Sequence, residues 1–311
     1  MEVMDNLTCR DCPRNCGVDR KNKMGACGVP REIYVARAAL HMWEEPPVSG
    51  ARGSGTVFFS GCSLGCVFCQ NKSISRRPFG KVMDDKELAD VMLGLQEEGA
   101  HNINLVTPTH YTRELARVLE RVKPSLGIPV VWNSGGYESA ESLRMLEGLV
   151  DVYLPDLKYF SPELSKRYSG APDYFEVAKT ALTEMYRQTG GVVLVKERIA
   201  NDMGEKADVE LIKKGIIVRH LVLPGCRRDS VRVLEELAEL LPVDRVRLSL
   251  MRQFTPDFVE KDKFPELGRK TTSFEYDTVV KRAGELGFEG YTQGAASATA
   301  SYTPDFEAGV R

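Results

Sequence analysis

Six short apolar runs, separated by segments with helical spacing, constrain this chain more than any other feature of it. The runs are Thr56–Ser60, Asn102–Thr107, Pro129–Asn133, Val150–Leu154, Gly215–Leu223 and Arg245–Met251. Between and after them the spacing predicts helices over Asp84–Gly99, Tyr111–Val122, Ser139–Leu149, Tyr174–Gln188, Asp229–Leu241 and Ser273–Leu286. Leu115, Val118, Leu119 and Val122, for example, recur on one helical face. Strands that are apolar throughout, rather than alternating, are buried on both faces, and helices supply the cover. The pattern predicts an α/β fold with a parallel sheet. Six units are too few to close an eight-unit barrel, so the expected architecture is a partial (β/α)6 barrel with one open side. In such folds ligands gather at the carboxyl ends of the strands.

Before this repeat the chain reads differently. Residues 1–50 carry turn pairs such as Cys12-Pro13 and Pro46-Pro47. They are expected to form a small irregular, cysteine-rich extension, with the barrel, its last helix and an irregular tail occupying 51–311. Within the barrel, GVVLVKERI is expected to pair with DVELIKK as a hairpin turning at Asn201–Gly204. Ser161-Pro162 reads as an N-cap followed by proline at the first helical position.

The eight cysteines are distributed unevenly: four at 9, 12, 16 and 27, three at 62, 66 and 69, and one at 226. The N-terminus has no signal-like apolar stretch, no run is long enough to cross a membrane, and the expected location is the cytoplasm. There thiols stay reduced, and clustered cysteines usually bind metal. A net charge of −2 gives no electrostatic argument for nucleic acid or an anionic membrane.

Cys62, Cys66 and Cys69 follow the first strand with the spacing C-x3-C-x2-C. Three thiolates on one tight loop can ligate three irons of a [4Fe–4S] cubane and leave the fourth iron open. Gly65 lets the loop turn closely. The open iron can chelate the amino and carboxylate groups of S-adenosylmethionine (SAM), and an electron from the cluster then releases a 5′-deoxyadenosyl radical. Phe68 is placed to pack near the adenine. The competing readings are a structural zinc site, which lacks a fourth ligand on this loop, and three unrelated buried thiols. Cys9, Cys12, Cys16 and Cys27 form a separate four-thiol set on a segment with little core of its own, a set suited to zinc or to an iron–sulfur centre. Cys226, with no partner nearby in sequence, reads as an ordinary loop thiol.

The triad and its placement resemble the radical SAM superfamily. The segments FFSGCSLGCVFCQN, NSGGYESAESL, DVYLPDLKY, GIIVRHLVLPG and SLMRQFTP resemble one branch of it, the uncharacterised iron–sulfur proteins related to pyruvate formate-lyase activating enzyme. The resemblance implies that SAM lies along successive strand ends. The Gly-Gly-Glu-like segment that commonly holds the SAM amino group is absent. The second strand ends Thr107-Pro108-Thr109-His110 instead, so oxygens of Thr107 and Thr109 are the expected acceptors. By the same resemblance, Asn133, Ser134 and Asp156 are candidates for SAM or for a monovalent cation, and Lys158 for a carboxylate. For Asp156 and Lys158 a local salt bridge is the competing reading. Arg219 and His220 interrupt an apolar strand on opposite faces. Arg219 is the expected ligand and His220 a packing residue. Gln253 is a weak candidate for the mouth of the site.

The resemblance implies activation of a glycyl radical enzyme: hydrogen abstraction from a backbone glycine of a large protein partner, with a flavodoxin- or ferredoxin-type reductant. Radical modification of a small molecule or peptide side chain is the alternative. A non-catalytic metal or electron-transfer protein is the third reading.

Overall fold

The computed structural model describes residues 8–200, 206–299 and 303–310. Ten strands form one open sheet: β1 (Ile33–His41), β2 (Ser54–Phe59), β3 (Lys81–Met83), β4 (Ile103–Val106), β5 (Val130–Ser134), β6 (Val152–Pro155), β7 (Val193–Ala200), β8 (Lys206–Leu221), β9 (Arg247–Met251) and β10 (Gly290–Thr292). The order is β10-β9-β8-β6-β5-β4-β2-β1-β3, with β7 paired off this path to β8. Every neighbouring pair from β2 to β10 along that order is parallel. The two ends of the path do not meet, so the barrel is partial, as the strand count predicts. The turn expected at Asn201–Gly204 lies outside the described residues; the hairpin arms around it pair from Val193 with Lys214 to Ala200 with Lys206.

The helices are α1 (Pro46–Ser49), α2 (Asp85–Glu97), α3 (Thr112–Val122), α4 (Ala140–Arg144), α5 (Pro162–Ser169), α6 (Tyr174–Thr189), α7 (Arg227–Leu240) and α8 (Ser273–Glu285). Several start where a side chain satisfies their free amides. Asp84 and Glu87 form a capping box at α2, Thr272 and Glu275 another at α8, and the Ser161 hydroxyl accepts from Leu164 N at α5. Leu88, Met92 and Leu95 of α2 and Leu115, Val118 and Leu119 of α3 bury the expected stripes against the sheet.

Three expectations are corrected. Residues 1–50 are not irregular throughout. IYVARAALH forms the nine-residue strand β1, antiparallel to both β2 and β3, so the sheet crosses the boundary expected at residue 50. The turn residues flanking this stretch obscure a run whose Ile33, Val35, Ala36, Ala38 and Ala39 are all buried. The helix expected over Ser139–Leu149 is helical only to Arg144 and continues as turns. The tail contributes the seventh parallel strand, β10, too short for periodicity to reveal. No described helix is long and apolar enough to cross a membrane.

Candidate active site

The carboxyl ends of β2, β4, β5, β6, β8 and β9 converge on a cavity of about 220 Å³. β2 delivers the cysteine loop to it. Gly61 leaves the strand at φ +88°, and the Cys62 amide donates to Cys27 O at 3.1 Å. Val67 N donates to Tyr168 O at 2.9 Å, tying the loop to α5. At Gly65, with φ +65°, a Cβ would lie 1.9 Å from the Arg76 guanidinium, whose Nη2 donates to Leu64 O. Glycine is required there by both conformation and space. Cys66 and Cys69 line the cavity, and Cys62 lies close enough to influence both thiols electrostatically. Burial pushes the Cys69 thiol up to about 12 and raises Cys66, while Lys158 opposes the shift at both. The Ser169 hydroxyl donates to Cys66 Sγ at 2.9 Å.

Among the described residues no group of three or more His, Cys, Asp or Glu side chains stands in a metal-holding arrangement. The donor set nonetheless fits a three-thiolate cluster. It comprises three thiols on one backbone-clamped loop, two of them facing the cavity, with a lysine as their counter-charge.

Beside the thiols lies a dense charge network. Asp156, just beyond β6, pairs with Lys158 through one oxygen and with Arg219 Nε at 2.9 Å through the other. Arg219 Nη2 donates to Asn133 Oδ1 at 2.6 Å, and Nη1 lies 3.5 Å from Glu44 Oε2. Glu44 also accepts from Asn104 Nδ2 at 3.0 Å and from Asn133 Nδ2 at 3.3 Å. Burial raises Asp156, but Arg219 and Lys158 together outweigh it and hold the carboxyl below its ordinary range. At Glu44 burial wins over Arg219 and the carboxyl is pushed up. The Asp156–Lys158 salt bridge weighed from the sequence is therefore formed, and it lies within the cavity wall.

Phe68 lines the cavity and packs edge-on against Phe254 and Tyr159. Asn133, Asp156, Lys158, Arg219 and Gln253 line it as well. Thr107, Thr109 and Ser134 do not. The Thr109 hydroxyl donates to Glu138 Oε1 at 2.6 Å, away from the cavity, and Ser134 also bonds Glu138. Thr107 is held at φ +58°, a strained conformation for a threonine, at the end of β4. Gly136, at φ +74°, has no room for a Cβ against Asp156 O, which keeps the β5 and β6 loops in register. His220 points into packing, its Nδ1 2.6 Å from Leu157 O, and burial lowers it to about 4. His110 is likewise buried, with Nε2 2.8 Å from Ser60 O. Cys226 precedes α7 and does not line the cavity.

Three acidic residues escape the sequence reading. Glu44 and Glu45 follow β1 in a segment expected to be irregular. Glu138 sits in α4's approach, where burial pushes its carboxyl up to about 7. The available signal was the acidic pair directly before Pro46-Pro47.

The N-terminal thiols form a second group. Cys9, Cys16 and Cys27 all act electrostatically on Cys12, which burial raises to about 12. The segment clamps the triad loop from behind. Besides the Cys27–Cys62 backbone bond, Arg14 Nε donates to Ser63 O at 2.6 Å and Arg14 Nη2 to Ser169 O at 2.8 Å.

An open parallel sheet with a three-thiol loop leaving its first parallel strand defines a class of fold, and the comparisons agree. Residues 56–195 match the model of the Radical SAM superfamily. Over that stretch, which carries the three-thiol loop, this chain is similar to the superfamily. It is similar to an uncharacterized protein of Methanocaldococcus jannaschii, 28% identical over 303 residues that cover 93% of this chain and 78% of the relative. Among solved structures, a spore photoproduct lyase variant matches with a TM-score of 0.51 at 11% identity, over 76% of this chain and 74% of that one. SuiB of Streptococcus suis, bound to its precursor peptide SuiA, matches at 0.49 and 11% identity, over 75% of this chain and 46% of that one.

Proposed function

We propose that this enzyme abstracts hydrogen from a backbone glycine of a protein partner, in the manner of a glycyl-radical-enzyme activase. The observation that carries the reading is the joining of the cluster thiols, the charge network and a mouth at the exposed Trp43 around one cavity. The activase-like wording of five segments along the chain supports the choice of substrate.

Cys62, Cys66 and Cys69 would hold the [4Fe–4S] cluster, which with SAM supplies a 5′-deoxyadenosyl radical by reductive C–S cleavage. The chain's own residues bind and orient. Lys158 is placed between the thiols and Asp156, where it receives a carboxylate. Arg219 and Asn133 present a guanidinium and an amide to hydroxyl or carboxylate oxygens. Phe68, Phe254, Leu221 and Met251 form the apolar wall that keeps water from the reacting carbon. Both oxygens of Asp156 are already engaged by cations, so a monovalent ion there would have to displace one of them, and the proposal omits it. The N-terminal thiols are assigned a second metal, zinc or iron–sulfur; burial and mutual proximity support this. A flavodoxin- or ferredoxin-type protein is the proposed electron donor in the cytoplasm, without nucleic acid or membrane.

Reduced enzyme, SAM and candidate glycyl partners encoded nearby should together give a glycyl radical signal by electron paramagnetic resonance. Silence with every partner, combined with deuterium transfer from a small molecule or a peptide side chain into deoxyadenosine, would replace this reading with the alternative one. The charged lining of the cavity beside the thiols favours that alternative over a non-catalytic role.

A further inference from the structure

A second cavity, of about 400 Å³, adjoins the first and shares Trp43, Glu44, Arg219, Met251 and Gln253 with it. Its distinguishing wall is Glu45. This residue is 8% exposed and stands at the N-cap of α1, yet its side chain makes no capping bond. Ser249 contacts the carboxylate, but Oε2 is buried with no hydrogen-bond partner. A buried carboxylate oxygen without a donor is costly, and helix geometry does not account for it here. The cations nearby are already committed. Arg219 is bonded or paired to Asp156, Asn133 and Glu44 and attracts Glu45 only through space, without a hydrogen bond to it, and Lys158 serves Asp156. Across the two cavities three carboxylates, Glu44, Glu45 and Asp156, face two cations, Lys158 and Arg219, so with all three ionised one negative charge is unmatched. Trp43, 64% exposed, and Tyr291 add aromatic surface to the same wall. Aromatic rings beside a carboxylate favour an organic cation.

We infer that this second cavity receives a cationic group of the substrate, a primary ammonium or guanidinium on an alkyl stem, with Glu45 as its counter-ion. The inference rests on the reading of the first cavity as the SAM site and adds a substrate class to it. A hydrogen donor anchored here by its charge would present a neighbouring carbon to the first cavity across Arg219. SAM also carries an ammonium and a sulfonium, so the same chemistry has two possible sources. The position of Glu45 beyond Arg219, away from the cysteines, favours the substrate.

Anaerobically reconstituted enzyme titrated calorimetrically with n-butylguanidinium and n-butylammonium tests this, with 1-butanol as the neutral control. Saturable binding of the cations and none of the alcohol is expected. Glu45→Gln should weaken the cations by about tenfold or more, as expected for removing one partner of a desolvated charge pair. Glu45→Asp, which keeps the charge, should retain part of the affinity; it also separates charge loss from misfolding. Equal binding of cation and alcohol, or no saturable binding of either cation, overturns the inference. So does a Glu45→Gln variant that loses SAM affinity while keeping the cations, which would assign the carboxylate to SAM. Cation binding by an enzyme that never cleaves SAM would instead refute the proposed function and leave this site standing.

Discussion

The two sides of the active-site region treat buried charge in opposite ways. On the cluster side, Asp156, Lys158, Arg219 and Asn133 form a closed set in which every charge has a partner. Behind and beyond it, Glu45 and Glu138 are buried carboxylates that each keep one oxygen without a partner. The paired set is rigid and pre-organised, suited to a ligand whose own charges balance. The unpaired carboxylates are costly when ionised and are relieved by a proton or an incoming cation. The difference separates a paired, pre-organised wall from sites that respond to what arrives.

The largest effect should come from breaking the paired set. Arg219→Met leaves Asp156 and Glu44 without their main cation and is expected to destabilise the protein by about 3–5 kcal/mol, measured by denaturant unfolding. A cost below about 1 kcal/mol would mean that the network is solvated rather than buried.

The next effect concerns Glu138 and sharpens the contrast through pH. Its folded carboxyl titrates at about 7, above its unfolded value. The stability this group contributes is therefore fully present below the unfolded value near 4.3, and it is lost as pH rises through about 7. Glu138→Gln should equal the wild type in stability near pH 4 and exceed it by about 3 kcal/mol above pH 8. A constant difference across that range would place Glu138 among the paired charges instead. The smallest effect is expected from Thr109→Val, which removes the 2.6 Å bond to Glu138 Oε1. It should cost about 1 kcal/mol and move the Glu138 titration further upward.

The same contrast explains what the sequence revealed. Strands such as β4 and β5 are buried on both faces, so largely apolar runs betray them, and the triad spacing is local to one loop. The cofactor candidates at strand ends could be named because a parallel fold gathers those ends together. β1 was hidden because its run of small residues, broken by Arg37, lies among turn and cysteine signals. Glu44 and Glu45 were missed because their meaning depends on partners far along the chain: Asn104, Asn133, Arg219 and Ser249. No periodicity connects those positions. Thr109 was misdirected for a related reason, since its partner Glu138 belongs to the following loop and draws the hydroxyl away from the cavity.

The most direct test of the central claim is anaerobic reconstitution followed by reduction with dithionite in the presence of SAM. Iron and sulfide would be counted and 5′-deoxyadenosine assayed in the wild type and in Cys66→Ala. The account predicts a cluster that SAM perturbs spectroscopically and deoxyadenosine from the wild type, with both lost in the variant. A full, reducible wild-type cluster that SAM leaves unperturbed, with no deoxyadenosine formed, would contradict it.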